Sequence, residues 1–204
     1  MTALKSQLRA ELKTLREEAS ARDPDAGETL AAKFPLKLLE RYGPIVAGYS
    51  PIGSEIDPGP LMDKLAKAGA KLALPRLEDE GRMSFRLWTP GDPLEEGSFG
   101  LSEPSADAVA VRPGLVLVPL LGFDNHGNRL GYGKGHYDKA LAELRSDGAV
   151  FACGLAFHVQ MIEDLPVEEH DQPLDWAVTE RGSVPIFMMR AFAREEDGGE
   201  GGAA

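Results

Sequence analysis

Along the first nineteen residues, Leu4, Leu8, Leu12, Leu15 and Ala19 recur at spacings of four and three, a period that predicts a helix over 3–19. Lys5, Arg9, Lys13 and Arg16 follow one position behind, a basic stripe beside the apolar one. A second helical pattern covers 28–41 and is interrupted at Pro35, because proline lacks an N–H and clashes with the preceding turn. Short apolar runs then read as strands: "PIVAGYS" (44–50), "KLALP" (71–75), the alternating "MSFRLWTP" (83–90), "GLVLVP" (114–119), "AVFACGLAF" (149–157) and "WAVTE" (176–180). Between the first two, Asp57-Pro58 predicts an N-cap and a first helical proline, with Leu61, Leu65 and Ala68 inward. Another helix is predicted over 135–145, with Ala140, Leu141 and Leu144 inward. Residues 91–113, rich in Gly, Pro, Ser and acids, predict a long surface loop.

Strands alternating with helices predict an α/β class fold, a sandwich with a mostly parallel sheet. In such sheets ligands gather beyond the carboxyl ends of the strands. The 204 residues suit one domain over 1–194, followed by an acidic, glycine-rich tail over 195–204 expected to be disordered.

The net charge of −11 makes a non-specific nucleic-acid partner a poor fit, since phosphate neutralisation supplies most of that affinity. No apolar run approaches the roughly 18 residues that span a bilayer, and the N-terminus lacks a signal-peptide pattern, so no membrane partner and a cytoplasmic location are expected. The lone Cys153 excludes an intramolecular disulfide and reads as a small buried side chain.

The stretch "GNRLGYGKGHYD" (127–138), directly after the apolar run, combines four glycines with Arg129, Lys134 and Asp138. Glycine-rich turns aim consecutive backbone N–H groups at an anion, and the helix that follows adds its positive N-terminal end. Two fingerprints fail here. A phosphate-binding P-loop needs glycine at 128, where Asn128 stands, and Ser or Thr at 135, where Gly135 stands. A dinucleotide fingerprint from Gly131 needs glycine at His136. Composition therefore leaves both an anion cradle and a plain strand–helix connection open.

Taken together, "KSQLR", "GYSPIGSEID", "LVLVPLLGFDNHGNRLGYGKGHYDK" and "GLAFHVQMIEDLPVEEHDQPLDWAVTE" resemble the 5-formyltetrahydrofolate cyclo-ligase (5,10-methenyltetrahydrofolate synthetase) family over nearly the whole chain. The resemblance implies a three-layer α/β/α sandwich similar to ribose-phosphate isomerases and coenzyme A transferases. It implies an enzyme that spends ATP, with Mg2+, to close 5-formyltetrahydrofolate into 5,10-methenyltetrahydrofolate, acting as a monomer or weak homodimer. Carried over by position, it assigns ATP binding to Lys5, Arg9, Arg129, Leu130, Gly131, Tyr132, Gly133, Lys134, Gly135, His136 and Tyr137, with Arg129 and Lys134 catalytic. Substrate contacts fall on Ser50, Glu55, Phe99, Tyr132 and His136, and magnesium on Asp138 and Asp171. Lys13 and Arg16 receive no role and read as a solvated stripe, while Asp57 reads as a helix cap. His126, His158 and His170 show no zinc-ligand pattern.

His136 departs from the resemblance, which expects an aromatic there, and adds a group able to titrate near neutral pH. Against the enzyme stands a folate or nucleotide sensor without catalysis, opposed by the retention of Arg129, Lys134, Asp138 and Asp171. A related isomerase or transferase would need a nucleophilic centre that the chain does not display.

Overall fold

The computed structural model describes residues 2–97, 101–186 and 188. Its elements run α1 (Thr2–Arg22), α2 (Ala26–Lys33), α3 (Lys37–Tyr42), β1 (Ile45–Ala47), α4 (Gly59–Lys67), β2 (Lys71–Leu77) and β3 (Met83–Leu87). There follow β4 (Glu95–Glu96), β5 (Ser102–Glu103), β6 (Ala110–Val111), β7 (Leu115–Pro119), β8 (Gly122–Phe123) and β9 (Arg129–Leu130). The last are α5 (His136–Asp147), β10 (Phe151–Leu155), β11 (Trp176–Val178) and β12 (Ser183–Val184).

Eight strands form one sheet in the order β12-β11-β10-β7-β1-β2-β3-β6. The five from β11 to β2 are parallel, and β12, β3 and β6 close the edges antiparallel. The central strand β7 is buried along four of its five residues, as its unbroken apolar run requires when both faces are covered. Its side chains alternate between two cores. Leu115 and Leu117 join Leu30, Phe34, Leu38, Leu61 and Leu65 from α2, α3 and α4. Val116 and Val118 join Ala140, Leu141 and Leu144 from α5. Helices thus cover both faces, giving three layers.

The helical pattern over 28–41 is interrupted at Pro35 as expected, leaving two helices. Three details differ from the sequence pattern. On α4 the inward residues are Leu61, Met62 and Leu65, while Ala68 is exposed at the C-cap. The N-cap of α4 is Pro58 and not Asp57, so the helix starts one residue later than expected; Asp57 stands just ahead of it, its Oδ1 accepting the N–H of Gly59 at 2.8 Å. Residues 91–113 are not structureless. β4 and β5 pair as a small hairpin, and β6 extends the main sheet beside β3; two-residue strands are too short to leave a periodic signal. The tail over 195–204 lies outside the described residues.

The largest correction concerns α1. Lys5, Leu12, Arg16 and Ala19 are its buried positions, whereas Leu4 and Leu15 are exposed. Spacings of seven, four and three keep those four side chains on one face. The helix therefore turns cations inward, and the reason lies in the acids that face them.

Candidate functional site

A cavity of about 730 Å³ opens beyond the carboxyl ends of β1, β2 and β7, lined there by Tyr49 and Ser50, Pro75 and Leu77, and Pro119. That size is ordinary for a small-molecule site. The 129–139 stretch forms one wall, α1 contributes Lys5 and Arg9, and Glu168, His170 and Asp171 stand at another side.

The turn ahead of the glycine-rich wall is set by Asp124, fully buried, whose carboxylate accepts the N–H groups of His126, Asn128 and Leu165 and the Asn128 side chain. Four donors saturate it, which makes it a structural anchor. The chain then pairs as β8–β9 and reaches Gly133, at φ +88, and Gly135, at φ +68, the left-handed residue from which α5 departs. Side chains other than glycine rarely hold that conformation. Arg9 Nε donates to the Gly131 carbonyl at 2.9 Å, and its guanidinium lies against Gly133, so α1 braces the loop. Lys134 lines the cavity and is exposed.

Two cation–carboxylate pairs meet near the start of α5. Arg129, almost fully buried, contacts Asp138 Oδ1 at 2.7 Å and also donates to the Gln172 carbonyl, while the Gln172 N–H reaches the same Asp138 oxygen at 3.0 Å. Burial pulls the Arg129 guanidinium below its ordinary pKa, and the Asp138 charge opposes that. Lys5, also buried, lies 3.2 Å from Asp171 Oδ2 and 3.4 Å from Glu168 Oε2. The Glu168 N–H fixes the same Asp171 oxygen at 2.8 Å. Each aspartate thus commits one oxygen to protein donors. Among the described residues the other oxygen of each accepts no hydrogen bond, the Asp171 one standing 3.9 Å from His170 Nε2. Ligand atoms of Glu168, His170 and Asp171 lie within 4.8 Å of one another.

Across the cavity, Glu55 is buried, with Oε2 accepting the Ile52 N–H at 2.9 Å and Oε1 3.7 Å from Arg16. Burial raises its carboxyl pKa, and the Ile52 N–H and Arg16 hold it back. Ser50 Oγ donates to the Ser102 carbonyl at 3.0 Å, tying the β1 end to β5. His136 Nδ1 lies 3.1 Å from the Gly81 carbonyl, fastening the β2–β3 turn to the start of α5. The tyrosines at the floor, Tyr49 and Tyr137, have phenols pushed up by burial and then by Glu55, so they stay protonated.

The structure brings Lys5, Arg9, Ser50, Glu55, Asp138, Asp171 and residues 129–137 to this one cavity. Phe99 lies outside the described residues. Arg16 overturns the solvated reading, since it is 1% exposed and bonded into this wall. Glu168 and His170 also border the cavity, although the sequence assigned neither a role there; the signal was their place in "EEHD" beside Asp171. Cys153 stays inside the core, its thiol pushed up by burial, away from the chemistry. No helix among the described residues is long and apolar enough to cross a membrane.

The profile of the 5-formyltetrahydrofolate cyclo-ligase family matches residues 1–180. The 5-formyltetrahydrofolate cyclo-ligase of Haemophilus influenzae is 30% identical over 180 residues, covering 85% of this chain and 96% of that protein. That of Mycolicibacterium smegmatis is 31% identical over 196 residues, covering 89% and 97%. Among solved structures, the Aquifex aeolicus 5,10-methenyltetrahydrofolate synthetase superposes with a TM-score of 0.72 at 30% identity, over 90% of this chain and 93% of that one. The Mycoplasma pneumoniae 5,10-methenyltetrahydrofolate synthetase shares the fold, with a TM-score of 0.67 at 20% identity over 86% and 98%.

Proposed function

The chain belongs to the 5-formyltetrahydrofolate cyclo-ligase family, and from that premise we propose that ATP and 5-formyltetrahydrofolate meet in the cavity beyond β1, β2 and β7. The activity is an ATP-dependent ring closure, 5-formyltetrahydrofolate to 5,10-methenyltetrahydrofolate, with ADP and phosphate released. The reaction needs ATP because a formamide oxygen is a poor leaving group. Transfer of the γ-phosphoryl group to that oxygen, attack by N10 on the formyl carbon and departure of phosphate divide the dehydration into accessible steps.

Phosphoryl transfer is chiefly positioning and charge neutralisation. The single observation that carries the assignment is the convergence of Lys5, Arg9, Arg129 and Lys134 on a glycine-built loop at the start of a helix. Residues 129–137 would hold the triphosphate by main-chain N–H groups, with Arg129 and Lys134 meeting the charge that develops in transfer. Lys5 and Arg9 would meet it from α1. Ser50, Glu55, Tyr132 and His136 would face the folate, the Glu55 carboxylate accepting N–H donors from the pterin edge. Phe99 belongs to the same proposal by resemblance.

Asp138 and Asp171 suit a hard divalent cation, since among the described residues one oxygen of each accepts no hydrogen bond while a cation or N–H orients the other. A magnesium ion held there would screen the triphosphate and help to orient it. Arg129 and Lys5 hold those carboxylates in place.

The test is to incubate the purified protein with 5-formyltetrahydrofolate, magnesium and ATP and follow the near-ultraviolet absorption of the methenyl product. Product should form only when ATP is present. Nucleotide and folate binding with no product at any concentration would overturn this in favour of a sensor.

A further inference from the structure

The side chain of Arg16 joins three segments that share no local sequence. It comes from α1 with Lys5 and Arg9, yet lies one turn beyond Leu12 and deeper, with 2% of its side chain exposed. Nε donates to Ser54 Oγ at 3.1 Å, on the loop that carries Glu55. Nη2 donates to Tyr132 Oη at 2.6 Å, and the guanidinium lies 5.5 Å from the Tyr132 ring centroid, so it grips the glycine-rich loop by edge and face. Nη1 lies 3.7 Å from Glu55 Oε1 and is buried with no hydrogen-bond partner among the described residues. A buried guanidinium donor left unmatched costs stability, and native structures keep few such atoms. This one stands 3.7 Å from the carboxylate of Glu55, which lines the cavity.

We propose that Arg16 is a positioning residue that fixes the Glu55 carboxylate and the Tyr132 loop relative to each other, so that the folate and nucleotide halves of the cavity are set by one guanidinium. The inference rests on the reading of Glu55 as a folate contact. Arg16 reaches neither reactant; it acts through what it holds. Arginine suits the task and lysine does not, because a planar fork serves three partners in fixed directions whereas an ammonium on a flexible stem does not. The groups facing Glu55 are Arg16 from α1, the Ile52 N–H and Tyr49 on its own segment, and Tyr137 from α5. Arg16 is the cation among them, and it holds the carboxyl pKa down against burial.

The experiment compares wild type, Arg16→Lys, Arg16→Met and the Arg16→Met/Glu55→Gln pair in the ATP-dependent cyclisation assay across pH. Arg16→Met should lower kcat/KM for 5-formyltetrahydrofolate by about tenfold or more, the effect of losing a charged hydrogen-bond partner. It should also move the acid limb of that profile to higher pH, because the cation that holds the Glu55 carboxyl down against burial is gone. Arg16→Lys should recover the limb, since charge remains, but not the full rate. The limb should be absent in the pair, where Glu55 no longer titrates. Tyr132→Phe keeps the exposed ring and removes only the hydroxyl that accepts from Arg16, so on its own it should lower folate kcat/KM, which keeps the inference testable where Arg16→Met fails to fold. An acid limb that stays put in Arg16→Met, with wild-type turnover intact, overturns the inference and leaves the activity reading standing. A wild type that makes no product takes both down.

Discussion

Replacing Gly133 by alanine tests how the glycine-rich loop is held, and it can be read without any ligand. Gly133 has φ +88, a conformation that costs an L-residue about 1–2 kcal/mol. An added Cβ would also stand 3.1 Å from Cζ and Nη2 of Arg9, tighter than ordinary contact. The guanidinium is the far end of a flexible side chain, so it would yield, but Nε is bonded to the Gly131 carbonyl at 2.9 Å and yielding weakens that bond by about 1 kcal/mol. Alanine reclaims about 0.4–1 kcal/mol by restricting the unfolded chain. Gly135→Ala makes a close control, with φ +68 and nothing within 4 Å of its Cβ. The two variants share the backbone cost and differ by the Arg9 contact, about 1 kcal/mol. For a chain of this length that is a gap of about 2–4 °C in melting temperature. Calorimetry of the ligand-free protein should therefore find Gly133→Ala melting below Gly135→Ala by that margin, and the gap should close when both are made in Arg9→Ala. Equal melting temperatures with Arg9 present, or a gap that survives without it, would refute the bracing of the loop by α1.

Two further outcomes follow from the same geometry. Asp138→Asn removes the charge facing buried Arg129, so turnover should fall by about tenfold or more and the magnesium titration should move to higher concentration; an unaltered titration returns Asp138 to a purely structural role. Glu78 accepts from Arg86 at 2.6 Å and Ser84 at 2.5 Å, which hold its carboxyl below the ordinary 4.5. A depressed folded-state value contributes stability above pH 4.5 that is lost as pH falls through the folded value. Glu78→Gln should thus cost about 1 kcal/mol in urea unfolding at pH 7 and progressively less below pH 4.5, and a cost independent of pH would mean that packing, not charge, is responsible.

The chain's own order of residues determined the alternation of strands and helices, the doubly buried β7, the break at Pro35 and the placement of "GNRLGYGKGHYD" at a strand's carboxyl end. Each is a local property: an apolar period, a proline, a cluster of glycines. What it could not determine was the face that α1 turns inward. Periodicity counts apolar side chains as buried and charged ones as solvated, so Leu15 read as core and Arg16 as surface, and the structure reverses both. Arg16 can be buried because Glu55, Ser54 and Tyr132 arrive around it from 38 to 116 residues away, and Lys5 because Asp171 arrives from 166. The short strands within 91–113 are another product of the fold, since β6 exists only where β3 offers an edge. Burying a charge is favourable only when its counter-charge is delivered to the same place, and that delivery belongs to topology.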